Sequence, residues 1–150
     1  IHEINPDAVV HTYKTFYTPQ TAEQFEFTRY DYVVDAIDTV TAKLDIAKQC
    51  KTRKIRLIAC LGTGNRLDPE RLRLGDITET AGCGCPLAKV MRRELRRRGI
   101  EHLPVLFSTE EPAKAIAESA AGRHPPGSIS FVPPVAGYII AGKCIRDIIE

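Results

Sequence analysis

The chain has 150 residues, 43% of them hydrophobic and 27% charged, with a formal net charge of +2. This is one domain's worth of ordinary globular composition, which excludes disordered, collagen-like and disulfide-scaffold proteins. So small a net charge does not mark a nucleic-acid binder, and any basic signal has to be local.

In chain order, Ile1 to Ile4 reads as the tail of a helix stopped by Asn5-Pro6, because the residue before a proline avoids the helical region. No initiator Met precedes it, so the chain is expected to be part of a longer protein. Val9 to Tyr13 is predicted as a short strand and 21–27 as a short helix capped by Thr21. The apolar run 32–37 suits a buried parallel strand. A helix is expected after Asp38-Thr39, with Val40, Leu44 and Ala47 on its apolar side and Lys43, Asp45 and Lys51 among its polar positions. Ile55 to Leu61 is the next strand, broken by Gly62-Thr63-Gly64-Asn65, and a further short strand is expected within 67–76.

Pro86 to Arg98 is the clearest helix, with Pro in its first turn and Gly99 where a terminal cap belongs. Its apolar stripe is Leu87, Val90, Met91 and Leu95. Leu103 to Phe107 is predicted as a strand, and 112–127 as a loop with at most a turn or two of helix. Val132 to Ile149 is the final helix, where Gly137 and Ala141 permit close packing against a neighbour. Strands alternating with helices predict an α/β fold with a mainly parallel, Rossmann-like sheet. Ligands of such sheets bind beyond the carboxyl ends of the strands, which directs attention to Asp38 and the 62–65 loop.

Four constellations carry candidate chemistry. Asp38 either offers a hard oxygen to Mg²⁺ beside nucleotide phosphates or caps the following helix. Gly62-Thr63-Gly64 lacks the third glycine of a dinucleotide fingerprint and is better read as a tight loop. No other Gly-rich phosphate cradle exists in the 150 residues. Lys89, Arg92, Arg93 and Arg96 fall on one helical face, suited to RNA phosphates or to a solvated surface favouring the helix dipole. Cys83 and Cys85 flank a helix start, where a thiol can become nucleophilic, though no neighbouring His supports that role.

The five Cys are scattered apart from this one Cys-x-Cys, as in a reduced, cytoplasmic protein, and no zinc is expected. The longest apolar stretch, 131–142, is too short to cross a bilayer, and no membrane partner is expected.

A series of motifs resembles the ThiF/MoeB/HesA superfamily of adenylating enzymes, relatives of the ubiquitin-activating enzymes. They are Asp35-Ala36-Ile37-Asp38-Thr39-Val40, Lys43, Gly62-x-Gly64-Asn65-x-Leu67-Asp68-Pro69, Asp76-Ile77-x-x-Thr80, Cys85-Pro86-Leu87-Ala88 and Phe131-Val132-x-Pro134-Val135-Ala136-Gly137. The nearest likeness is to the tRNA threonylcarbamoyladenosine dehydratase subgroup.

The resemblance implies that residues 1–150 are the C-terminal part of an adenylation domain. Its phosphate loop would lie upstream, so these residues alone would be inactive. It implies ATP and Mg²⁺ for the whole protein, with Asp38 as catalytic and Mg²⁺-holding residue and Lys43 as a further nucleotide contact. Thr39 stands where many members have Asn, which is compatible with the dehydratase subgroup. The implied activity is ATP-driven dehydration of threonylcarbamoyl-adenosine in tRNA by a cytoplasmic homodimer, with a sulfur-transfer protein as a further partner the family admits. The alternatives are an adenylyltransferase for a ubiquitin-like sulfur carrier, whose Cys-x-x-Cys zinc pairs are missing here, and a non-catalytic remnant keeping only packing and dimerisation surfaces.

Overall fold

The apolar run after Asp31 forms strand β1, Tyr32–Asp35, in a computed structural model that describes residues 1–113 and 127–150. Helix α1, Val40–Arg53, follows and ends at Lys54, whose left-handed backbone (φ 56°) turns the chain into β2, Arg56–Cys60. A 3₁₀ turn at Pro69–Arg71 leads into β3, Leu72–Asp76. Helix α2 is Pro86–Arg97, β4 is Pro104–Ser108, and α3 is Val132–Ile149. Gly99 sits beyond α2 at φ 68°, a conformation that a Cβ would strain.

The strands form one sheet in the order β1-β2-β4-β3. β1, β2 and β4 run parallel, as the alternation of strands and helices predicts, and β3 pairs antiparallel with β4. Alternate residues face opposite sides of the sheet. Leu57, Ala59, Val105 and Phe107 face α1 and α2, where they meet Leu44, Ala47, Met91 and Leu95. Ile58, Leu106 and Leu72 face α3, against Val132, Ala136 and Ile140.

Two expectations are corrected. Residues 9–13 form no strand: Val9 and Tyr13 are exposed, and among the described residues no neighbouring strand offers hydrogen bonds to that stretch. The segment 21–27 holds a 3₁₀ turn, Ala22–Gln24, with a second, Phe27–Arg29, beginning at its end. Thr21 does not cap the first; its hydroxyl donates to the Phe16 carbonyl at 2.7 Å. Gly137 and Ala141 are exposed on α3, and a Cβ on Gly137 would meet nothing within 4 Å among the described residues, so no neighbour packs there within them. The loop reading of 112–127 lies largely outside the described residues. Among them, no helix is long and apolar enough to cross a membrane.

Candidate active site

Asp35 and Asp38 are three residues apart and meet opposite environments. The pleat turns Asp35 toward α1, where it is 2% exposed, and Asp38 stands in solvent beyond the strand. Lys43, one turn into α1, is fully buried and meets Asp35 Oδ1 at 3.0 Å. Its ammonium also donates to the Cys60 carbonyl at 2.7 Å, tying the end of β2 to the start of α1. Lys43, one of the polar positions expected on this helix, is therefore buried rather than solvated. The β1–β2 end is close enough to α1 that a lysine here points inward and finds acceptors.

The Ile37 amide donates to Asp35 Oδ1 at 3.2 Å and shapes the turn. Asp35 Oδ2 has no partner among the described residues. Burial pushes the Asp35 carboxyl above its ordinary range, against the opposing pull of Lys43. Burial likewise pushes the Cys60 thiol upward, so that sulfur is not an activated nucleophile.

Asp38 is not the helix cap. Thr39 occupies that position, and its carbonyl accepts the Lys43 amide. Among the described residues the one hydrogen bond to the Asp38 carboxylate is a long one, 3.4 Å, from the Thr39 hydroxyl. Of the two readings of Asp38, the helix-cap one fails on geometry, and an exposed hard oxygen pair remains beside the start of α1.

The 62–65 loop does form a tight turn at the end of β2. Asn65 adopts a left-handed conformation (φ 56°) and accepts from the Ala113 amide at 2.8 Å. Its Oδ1 accepts from the Gly127 amide at 2.7 Å. Glu110, just past β4, accepts from the Leu67 and Asp68 amides at about 3.0 Å. The ends of β2 and β4 are thus bound into one rim. A groove of about 300 Å³, lined by Val34, Ala36, Cys60, Thr63, Pro133 and Gly137 among others, opens between this rim and α3.

Sequence reasoning missed Arg66. It is 2% exposed; Nη2 donates to the Cys83 carbonyl at 3.1 Å, while Nε and Nη1 lack partners among the described residues. No sequence signal distinguishes it from a solvated arginine. Cys83 is buried, and Cys85 is the N-cap of α2, its sulfur accepting from the Ala88 amide at 3.4 Å. Lys89, Arg92, Arg93 and Arg96 lie together along α2, and with Arg97 they line a groove whose lining does not include Asp38.

The ThiF family model matches residues 1–148. The tRNA threonylcarbamoyladenosine dehydratase of Bacillus subtilis is 39% identical over 162 aligned residues, covering all of this chain and 63% of that protein. Its Escherichia coli namesake is 34% identical over 118 residues, 73% of this chain and 43% of that protein. Among solved structures, E. coli tRNA N6-threonylcarbamoyladenosine dehydratase, TcdA, in complex with AMP superposes with a TM-score of 0.84 and 26% identity, over 99% of this chain and 60% of that one. The same enzyme in complex with ATP gives 0.82. This chain spans 63% or less of the length of these relatives. With the family model covering nearly its whole length and the same sheet and helices in place, the chain belongs to the ThiF family.

Proposed function

We propose that the whole protein is an ATP-dependent dehydratase acting on threonylcarbamoyl-adenosine in tRNA. The observation that carries this reading is the Asp38 carboxylate, exposed beyond the end of β1 and not spent on capping α1. It stands in a fold superposable on a dehydratase that binds AMP. In the reaction, the substrate carboxylate attacks the α-phosphate of ATP and pyrophosphate leaves. A group within the modification then attacks the resulting acyl-adenylate and displaces AMP. The product is a ring, one water short of the starting nucleoside.

The donors present fit Mg²⁺, which takes one or two carboxylates and fills its remaining positions with phosphate and water oxygens. Asp38 would hold it, and when bound it would offset phosphate charge. Lys43 serves this site from below. Its ammonium is committed to Asp35 and the Cys60 carbonyl, and through them it fixes the turn that presents Asp38. The amides opening α1 face the same side and favour an anion there. We place the phosphate loop in an upstream part of the whole protein and the protein itself in the cytoplasm, consistent with five free thiols. The exposed Tyr138, Ile145 and Ile149 of α3 support a homodimer.

The test is incubation of the whole protein with ATP, Mg²⁺ and tRNA carrying threonylcarbamoyl-adenosine, followed by nucleoside mass measurement. Loss of one water from that nucleoside is expected. An unchanged nucleoside, with AMP instead joined to the C-terminus of a small sulfur-carrier protein, would overturn the reading.

A further inference from the structure

We propose that the groove along α2 seats the phosphate backbone of RNA and guides it toward the rim where Asp38 stands. The proposal rests on the tRNA reading above and names a surface for it.

The groove has a volume of about 420 Å³ and is lined, among the described residues, by Lys89, Arg92, Arg93, Arg96 and Arg97. From Lys89 to Arg97 the helix rises about 12 Å, with a cation on nearly every turn of one side. One small anion cannot engage charges spread over that length, whereas a chain of phosphates can.

The cations are also available. Glu94, the one carboxylate of α2, pairs with Arg93, Arg97 and Arg98 at 2.8–3.0 Å. Lys89 and Arg96 have no acidic partner among the described residues. Arg92 is held in place: its Nη1 donates to the buried Thr80, to the carbonyl at 2.7 Å and to the hydroxyl at 2.6 Å. A guanidinium fixed on one side loses little freedom when its other donors meet a phosphate.

Position joins the groove to the site. Lys89 lies one turn after Cys85, and a Cβ on Gly62 of the β2 loop would stand 3.6 Å from the Cys85 sulfur. The near end of the groove therefore lies one helical turn from the rim, and the groove runs away from it. Among the described residues no apolar or aromatic side chain lines it, and they offer none of the anchors that a docked peptide or a membrane surface requires. It also lacks a platform for stacking bases, so it holds backbone without reading sequence.

The test compares the whole protein with the Lys89→Gln/Arg93→Gln/Arg96→Gln variant; Arg92 is kept because it ties α2 to Thr80. A matched control is Arg53→Gln/Arg71→Gln/Arg73→Gln, three exposed arginines elsewhere. Fluorescently labelled tRNA is titrated over a salt series, and Mg-ATP affinity is measured by calorimetry. The groove variant is expected to bind tRNA roughly tenfold more weakly at about 0.1 M salt, with the salt slope shallower by about 2 to 3. The loss should be the same for tRNAs of different anticodon, with Mg-ATP affinity unchanged.

Equal losses in the control, or an unchanged affinity and slope in the groove variant, would overturn the groove while leaving the tRNA reading intact. Failure of the unaltered protein to bind any tRNA, with or without binding to phosphatidylserine vesicles, would overturn both.

Discussion

The turn between β1 and α1 and the outer side of α2 both concentrate charge, under opposite conditions. Asp35 and Lys43 face each other at 3.0 Å with almost no contact with solvent. The α2 cations mostly stand in water, and the one carboxylate of the helix, Glu94, pairs with only Arg93 and Arg97 among them. Away from water neither member of the first pair is tolerable without the other, so the pair fixes geometry. In water, screening lets cations crowd together at small cost, and they stay free to meet an anion from outside. The same residue types therefore serve as a brace in one region and as an open surface in the other.

The largest effect that can break this comparison is at the brace. Lys43→Met is expected to destabilise the fold by about 3–5 kcal/mol, because it strands the Asp35 charge. Adding Asp35→Leu should recover most of that loss; urea unfolding of the single and double variants measures both. The pH dependence carries a sign. Asp35 titrates above its reference value of 3.8, chiefly through burial, so the folded state holds that proton more tightly than the unfolded state. Its contribution then falls as pH rises from below that reference through the raised value. Lys43→Met removes the opposing attraction and should extend this fall to higher pH. Parallel stability–pH curves for variant and unaltered protein would mean that the pair is not the brace.

Asp38→Asn sharpens the contrast from the other side. Stability should change by no more than about 0.5 kcal/mol, since the side chain is exposed and caps nothing. Dehydration by the whole protein should fall roughly a hundredfold or more, as when a charge-stabilising group leaves a preorganised site. Steady-state rates alongside thermal unfolding separate the two, and near-normal turnover at ordinary Mg²⁺ would reduce Asp38 to a loop residue.

How much of this was legible in the sequence follows the range of the forces involved. Local rules placed α2 between Pro86 and Gly99 and gave α3 its observed bounds. The apolar runs located β1, β2 and β4 to within two residues at each end. Val9 to Tyr13 failed because β-branched composition makes a strand only where a neighbour completes its hydrogen bonds. The inward turn of Lys43 was invisible because it depends on the Cys60 carbonyl, seventeen residues away. Arg66 was missed for the same reason, its partner being the carbonyl of Cys83. Asp38 was singled out by its place at a strand end, but its two readings separated only once Thr39 was seen to occupy the cap.

Asp76 supplies an intermediate case. Burial would raise its carboxyl, but hydrogen bonds from Thr78 and the Leu103 amide outweigh that and hold it below its reference value of 3.8. Those bonds, with Glu79 reaching back to the Asp76 amide, start the 3₁₀ turn Ile77–Thr80 and tie it to the approach to β4. Asp76→Ala is expected to cost about 1–2 kcal/mol. Its pH signature is opposite to that of Asp35: the contribution is present above the reference value and is lost as pH falls through the lowered one. Chemical denaturation from about pH 3 to 7 should show the Asp76→Ala deficit shrinking in acid.

The smallest effect concerns the sulfur between the two regions. Cys85 caps α2 at the rim, one helical turn from the near end of the basic groove, and its role is either backbone support or chemistry. As a cap it is a poor one, since sulfur is a weak acceptor and its bond to the Ala88 amide is 3.4 Å long. Serine at that place keeps the size and offers a stronger acceptor, so Cys85→Ser should raise stability by a few tenths of a kcal/mol. Dehydration should continue at the unaltered rate, because an acyl-adenylate captured by a group of its own substrate needs no thioester on the enzyme. Acid quench followed by intact-mass measurement checks the point. An adduct on Cys85, or a variant that folds but no longer turns over, would move this sulfur from the scaffold into the reaction and join the two regions chemically.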